Sequence, residues 1–349
     1  MLNLFNEQLA QSVHLTGEQV AAAVAQLIDE SVPAGLKADF LCSLAAKIET
    51  PAEIAAFARE LRAKSILPPI DAQTHLGEIL DVCGTGGDRL NTFNISTTVA
   101  LICAAAGVAV AKHGNRAVTS QAGSADVLEA LGIKIDLSPE EAAVSLLEHH
   151  FAFFFAPYYH PAFQHISAAR KLCAQRGQRT IFNFLGPLLN PARPTAQLVG
   201  VARPELCQTL AHVLQSLGVR RGMVVSGRVG DAWLDELSTL GENTLAEFYH
   251  DHGFTTSVVS PSNFPIQPAS LADLAGSDSQ ANAGIIRRLL SNEDRGPKRD
   301  AVLLNAGAAL FVAGKIKSVI QGWELAADIL ASGQAKAKLD ELVAANHRA

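Results

Sequence analysis

Glycines, aspartates and hydroxyl side chains crowd into one stretch, Asp81-Val-Cys-Gly-Thr-Gly-Gly-Asp88, continued by Asn94-Ile-Ser-Thr-Thr98. Gly84, Gly86 and Gly87 lack a Cβ, so they can take positive φ and let the main chain close on a ligand. The apolar run Ile79–Cys83 reads as the end of a buried strand. Asn94, Ser96 and Thr97 are N-cap candidates for an apolar helix over 98–106. Strand, glycine loop and helix N-terminus, in that order, can hold an anion with backbone N–H groups and the helix dipole. No Gly-Lys-Ser/Thr follows, so this is not a Walker loop. A dinucleotide fingerprint would need glycine at position 89, where Arg89 stands. Spacing alone leaves a phosphate loop and a plain strand-to-helix turn both open.

Three further groups could act with that loop. The run Lys112-His-Gly-Asn-Arg116 follows the strand Val108–Ala111 and adds cations at what would be the same sheet edge. Taken alone, Lys112 and Arg116 fit a solvated basic loop equally well, and His113 fits a structural hydrogen-bonder. The small-residue loop 117–123 leads to Ser124, a candidate cap for a helix over 125–131 that ends at Gly132. Farther on, Asp235-Glu236 follows a strand at Met223–Ser226 and reads as an exposed loop. Adjacent carboxylates can bind Mg²⁺ through oxygen, or can be ordinary surface charge. His149, His150, His160 and His165 invite a metal reading, but no HExxH or tight pairing with a carboxylate supports zinc.

The elements that must position these residues fall into two patterns. Residues 1–64 read as helices, with capping boxes at Thr16-Gly-Glu-Gln19 and Thr50-Pro-Ala-Glu53 and a middle helix marked by Phe40, Leu41, Leu44 and Ile48. The loop Leu67–Asp71 ends that segment. Short apolar strands then alternate with helices, which predicts an α/β fold with a parallel sheet. Strands are expected at 151–155 and 197–201, and helices at 139–150, 161–174 and 204–217. A β-rich excursion over 255–268 precedes helices at 283–290, 299–313 and 323–345.

Composition narrows the class. The chain has 349 residues, 48% hydrophobic, with a formal net charge of −6. That length suggests two domains, or one large domain with a cap. The charge gives no sign of a nucleic-acid or anionic-membrane partner. Five widely spaced cysteines without CxxC fit structural thiols in a reducing compartment. The N-terminus lacks a basic, apolar leader pattern and no apolar run reaches a membrane span, so a cytoplasmic location is expected.

With these segments assembled, the chain resembles the anthranilate phosphoribosyltransferases of tryptophan biosynthesis over nearly its whole length. The resemblance rests on Asp81–Asp88 with Asn94–Thr97, on Lys112–Arg116 with Gly123–Glu129, on Phe182-Asn-Phe-Leu-Gly-Pro-Leu-Leu-Asn-Pro-Ala-Arg193, and on Asp235-Glu-Leu-Ser238. It implies a large α/β domain with a central, mostly parallel sheet flanked by helices, and a small all-α domain. The small domain would comprise residues 1–66 completed by an insertion at about 162–180. The large one would comprise 67–161 and 181–349.

The implied reaction joins anthranilate to phosphoribosyl pyrophosphate (PRPP), giving N-(5-phosphoribosyl)anthranilate and pyrophosphate, with two Mg²⁺ per subunit in a homodimer. Carried onto this sequence, Gly84, Gly87, Asp88, Thr92, Asn94, Ile95, Ser96 and Thr97 would surround PRPP. The run Lys112, His113, Gly114, Asn115, Arg116, Ala117, Val118, Thr119, Ser120 would continue that site, with Ser124. Ser96, Asp235 and Glu236 would hold metal, and Gly84, Asn115 and Arg170 would meet anthranilate. No strong general base is implied. The family usually carries Ser at the place of Ala117 and Lys or Arg at that of Gln121. The competing readings are a pyrimidine nucleoside phosphorylase on the same fold, and a silent, nucleic-acid-binding relative.

Overall fold

The computed structural model describes residues 1–70, 77–117, 121–250 and 253–345. Val118, Thr119 and Ser120, together with Asp71 at the end of the expected loop, lie outside the described residues.

Four helices open the chain: α1 (Leu2–Ala10), α2 (Gly17–Ile28), α3 (Ala34–Lys47) and α4 (Pro51–Arg62). Both expected capping boxes form, Thr16 with Gln19 and Thr50 with Glu53. Each satisfies two N–H groups that the helix cannot. The expectation for Ile48 does not hold. It follows α3 as the C-cap with φ 69° and is exposed, so it packs no helical face.

The strands are β1 (Ile79–Gly84), β2 (Ala109–Gly114), β3 (Phe151–Phe155), β4 (Ala196–Gly200), β5 (Arg221–Val229), β6 (Ala232–Leu234), β7 (Asn243–Tyr249) and β8 (Thr255–Val259). They form one mixed sheet in the order β3-β2-β1-β4-β5-β7-β8, with β6 paired to β5. The pairs β3–β2, β2–β1, β1–β4 and β4–β5 are parallel. Those of β5 with β6 and β7, and of β7 with β8, are antiparallel. Of the expected excursion over 255–268 only β8 is strand, and β7 belongs with it.

The helices α5 (Ile95–Ala105), α6 (Ser124–Leu131), α7 (Pro139–His149), α8 (Ala156–Tyr159), α9 (Gln164–Gln175), α10 (Leu206–Ser216), α11 (Ser279–Leu290), α12 (Pro297–Val312), α13 (Val319–Ala331) and α14 (Gln334–Ala345) complete the chain. The helix expected over 323–345 is two, because Gly333 takes φ 78° between α13 and α14. Two large cores result. One gathers α5, α6 and α11–α14 on one face of the sheet. The other joins α1–α4, α9 and α10 to the opposite face through Val199, Val224 and Phe248. Phe40 and Phe57 are fully buried there, each worth about 2 kcal/mol of burial.

The chain order places a crossover beside β1. It runs from β1 outward to β2 and β3, then returns to add β4 on the other side of β1. Strand ends diverge at such a switch point, and open α/β sheets bind ligands in the resulting crevice.

Candidate active site at the carboxyl edge of the sheet

The crevice is a cleft of about 250 Å³ at the ends of β1 and β2. Two glycines in register, Gly84 on β1 and Gly200 on β4, form the floor beneath its acidic wall. The Asp235-Glu236 segment lies directly on them. A Cβ on Gly84 would stand 2.4 Å from Asp235 Oδ2, and one on Gly200 only 1.6 Å from the Asp235 carbonyl oxygen. Gly84 is therefore required by this close approach and not by positive φ. Gly86 and Gly87 do take the left-handed conformation, at φ 78° and 83°. Arg89 (φ 61°) and Asn91 (φ 51°) share it, although such a conformation is strained for residues with a Cβ.

The acidic pair is not the exposed loop that the sequence suggested. Asp235 is buried, and both carboxylates face the cleft. The Gly86 N–H donates to Asp235 Oδ2 at 2.6 Å. Burial pushes the Asp235 carboxyl well above the usual range, and repulsion from Asp88 and Glu236 adds to it. Burial also raises Glu236, against the pull of Lys112 and hydrogen bonds from Ser96. Ser96 opens the first turn of α5, so this carboxylate sits at a helix N-terminus, where the dipole favours it. Asn94 caps that helix without a side-chain hydrogen bond, and Thr97 Oγ1 is buried without a partner.

Lys112 is buried beside them. Its Nζ donates to the Val82 carbonyl at 2.7 Å and lies 3.5 Å from Ser96 Oγ. Beneath it, Asp81 is fully buried and accepts from Asn190 Nδ2 at 2.9 Å. Burial raises Asp81 to about 6 despite Lys112. His113 lines the cleft, with Nδ1 3.2 Å from the Gly186 carbonyl oxygen and Nε2 buried without a partner. Burial, helped by His160 in edge contact at 5.3 Å, drops it to about 3, so it is a neutral imidazole.

Of the residues singled out in the sequence, Gly84, Gly87, Asp88, Thr92, Asn94–Thr97, Lys112–Asn115, Ser124, Asp235 and Glu236 line this one cleft. Arg116, Ala117 and Arg170 do not. Arg116 turns away to Asp126 (3.0 Å) and Glu129 (2.9 Å) and lies over the Phe155 ring. Arg170 stands on α9 with its guanidinium 5.4 Å from the Phe182 ring centroid. Ala117 offers only its backbone, donating to Asp126 Oδ2 at 2.9 Å. Ser124 does not cap α6; Gly123 does, and Ser124 is the first helical residue.

Sequence reasoning missed the residues that hold the loops from behind. Asn282 on α11 donates to Asn94 Oδ1 at 2.9 Å, Asn190 grips Asp81, and Asn305 on α12 grips Leu237. Arg179 donates to the Gly87 carbonyl at 3.1 Å. A signal was present for the asparagines: an amide inside an apolar run must find partners when buried.

Carboxylates forced together without a cation between them suit a divalent metal. Among the described residues no group of three or more His, Cys, Asp or Glu could hold one unaided. Mg²⁺ commonly takes one or two carboxylates and completes its shell with water and substrate phosphates, which fits this donor set.

The glycosyl transferase family, a/b domain, matches residues 76–336, and the helical bundle domain of that family matches residues 5–65. Anthranilate phosphoribosyltransferase of Lacticaseibacillus paracasei is 44% identical over 338 residues, covering 97% of this chain and 95% of that protein. This chain belongs to the anthranilate phosphoribosyltransferase family. The crystal structure of the Thermus thermophilus family member superposes with a TM-score of 0.87 at 40% identity, covering 97% of this chain and 98% of that one. The Saccharomyces cerevisiae family member in complex with PRPP and Mg gives a TM-score of 0.85 at 26% identity, covering 99% and 98%. As an anthranilate phosphoribosyltransferase-family fold, the chain has the mixed sheet flanked by helices and the N-terminal helical bundle that its sequence implied. Among the described residues no helix is long and apolar enough to cross a membrane.

Proposed function

We propose that this chain transfers the 5-phosphoribosyl group of PRPP to the amine of anthranilate, releasing pyrophosphate, and that the cleft at the ends of β1 and β2 is where it does so. The observation that carries the reading is the acidic pair, Asp235 buried and Glu236 half-buried, set against a glycine floor and facing a helix N-terminus. That arrangement is costly alone and sensible beside Mg²⁺ and a polyanion. Family membership favours this activity over phosphorolysis of a nucleoside or nucleic-acid binding.

In this reading Asp235, Glu236 and Ser96 hold Mg²⁺, two ions per subunit. When bound, Mg²⁺ offsets the negative charge of the pyrophosphate leaving group. The N–H groups of the glycine loop, Asp88 included, and of the first turn of α5 (Ile95–Thr97) bind phosphate oxygens together with Thr92, Asn94, Lys112–Asn115 and Ser124, and residues 118–120 continue that run; Arg116 and Ala117 are taken up by Asp126 and Glu129. Lys112 is fixed by its bonds to Val82 and Ser96, so its charge is placed before substrate arrives. Gly84, Asn115 and Arg170 receive anthranilate. Its amine is a weak nucleophile that needs placement more than deprotonation. The neutral His113, with a free Nε2, fits a hydrogen-bonding contact and is far too weak a base at neutral pH to be a proton acceptor.

Two coarser features complete the proposal. Residues 1–66, with about 162–180, form the small domain; α9 packing on α3 supports this. The protein works as a cytoplasmic homodimer. Met1 at the N-cap of α1 and Leu4 on it, both more than three-fifths exposed, are apolar surface that a second copy would cover. Light scattering after size exclusion reads the dimer directly.

The activity is tested by anthranilate fluorescence on mixing protein, PRPP and Mg²⁺, with and without EDTA. Mg²⁺-dependent loss of fluorescence is expected. A folded protein that leaves the signal unchanged overturns the reading.

A further inference from the structure

We propose that Asn305 is a positioning residue for the Asp235–Glu236 cation site, acting through the backbone of Leu237. The inference rests on the reading of that pair as the Mg²⁺ site. Asn305 lies in the middle of α12 and is fully buried. Its Oδ1 accepts from the Leu237 N–H at 2.9 Å, and its Nδ2 donates to the Leu237 carbonyl at 2.9 Å. One side-chain amide thus pairs with both main-chain groups of the residue that follows the acidic pair, as a neighbouring strand would. The second N–H of the amide donates to the Ala301 carbonyl at 2.9 Å, one turn back on α12, which fixes the amide's orientation.

The hold matters because the pair sits under steric and electrostatic pressure. Asp235 lies against Gly84 and Gly200 with no spare room, and Asp88 adds like charge. The Gly86 N–H on Asp235, and Lys112 with Ser96 beside Glu236, offset only part of that repulsion, so the anchorage behind carries the rest. Ser238, one residue on, is anchored in the same manner. Its N–H donates to Asn243 Oδ1 at 2.7 Å, and Asn243 Nδ2 returns a bond to its carbonyl at 3.0 Å. Asn305 ties the backbone of the loop to a helix of the core, and α12 packs on both β4 and α5. The helix that locates Ser96 and the strand under Asp235 therefore share one reference body with the carboxylates. Mg²⁺ demands near-octahedral ligands, so drift of the pair lowers affinity before it affects folding. Groups that orient metal ligands without touching the metal typically govern affinity by about 10- to 100-fold.

The test compares wild type, Asn305→Ala and Leu310→Ala, the last a buried apolar truncation on the same helix. Two quantities are read: the Mg²⁺ concentration for half-maximal anthranilate transfer, and Mn²⁺ binding with pyrophosphate by electron paramagnetic resonance, which needs no turnover. Asn305→Ala is expected to raise both midpoints about tenfold or more, while saturating Mg²⁺ restores most of the rate. Leu310→Ala is expected to lower the melting temperature and leave both midpoints in place. If Asn305→Ala only lowers the melting temperature, the proposal is overturned. Should that variant not fold, the isosteric Asn305→Asp keeps the acceptor for Leu237 and removes the amide donors. Unchanged midpoints there overturn the proposal equally. Wild type without Mg²⁺-dependent transfer defeats the functional reading instead, and the Mn²⁺ arm still decides the role of Asn305.

Discussion

Glu53 in the helical bundle and Asp235 at the sheet edge are both buried carboxylates, and they are treated in opposite ways. Burial works against the charge of Glu53, yet Lys47 at 2.7 Å and N–H donors from Leu15 and Thr50 outweigh it and hold the carboxyl below its usual range. Asp235 receives one N–H, from Gly86, and otherwise faces Asp88 and Glu236, so its carboxyl is pushed up. A buried charge with its partners in place is architecture. One left without them stores electrostatic free energy that a ligand can release.

The comparison can be broken at several points. A large effect is expected from Gly200→Ala, whose methyl cannot coexist with the Asp235 carbonyl. Displacement of the acidic pair by this variant should lower anthranilate transfer by more than about 10²-fold, read in the fluorescence assay. Glu53→Gln should cost about 3 kcal/mol of stability in urea unfolding, because the buried Lys47 loses its partner. Asp235→Asn should do the reverse, abolishing Mg²⁺-dependent transfer while raising the melting temperature of EDTA-treated protein. Equal destabilisation by both substitutions would erase the distinction drawn here.

Acid should act through the histidines. Burial lowers His160 to about 4 and His113 to about 3, so the unfolded chain takes up protons first. Their contribution is present above the ordinary histidine value and is lost as pH falls through about 6.5 toward about 4 for His160 and about 3 for His113, on the order of 3 to 5 kcal/mol each. His160→Phe should flatten that limb of the urea-stability profile. The smallest effect is expected from Thr16→Ala, which removes one cap of α2 for about 1 kcal/mol and leaves turnover unchanged.

The same contrast explains what could be read from the chain. Thr16 and Thr50 each announced a helix start correctly, because capping is settled within four residues. Strand β3 was legible for a similar reason, being a short apolar run between breakers. The antiparallel half of the sheet was harder. Strand β7, Asn-Thr-Leu-Ala-Glu-Phe-Tyr, breaks the polar/apolar alternation that marks a half-buried strand, and β6 is three residues long, held by its pairing to β5. The glycine loop was recognised, but not the reason for Gly84, since its neighbour Asp235 is distant in sequence. Burial of the acidic pair was missed on the same ground: nothing near Asp235-Glu236 records that β1 and β4 close over them. Motifs named the participants, and long-range contacts decided their surroundings.

The floor of paired glycines limits how this protein could be altered. Random substitution at Gly84 or Gly200 meets an occupied backbone position, so libraries built there would return almost no active clones. The rim is different. Asn115 is exposed, and Arg170 rests on an aromatic ring that other long side chains could also cover. Selection for a new aromatic amine as acceptor should therefore accumulate changes at the rim and on α9, and leave the two glycines as they are.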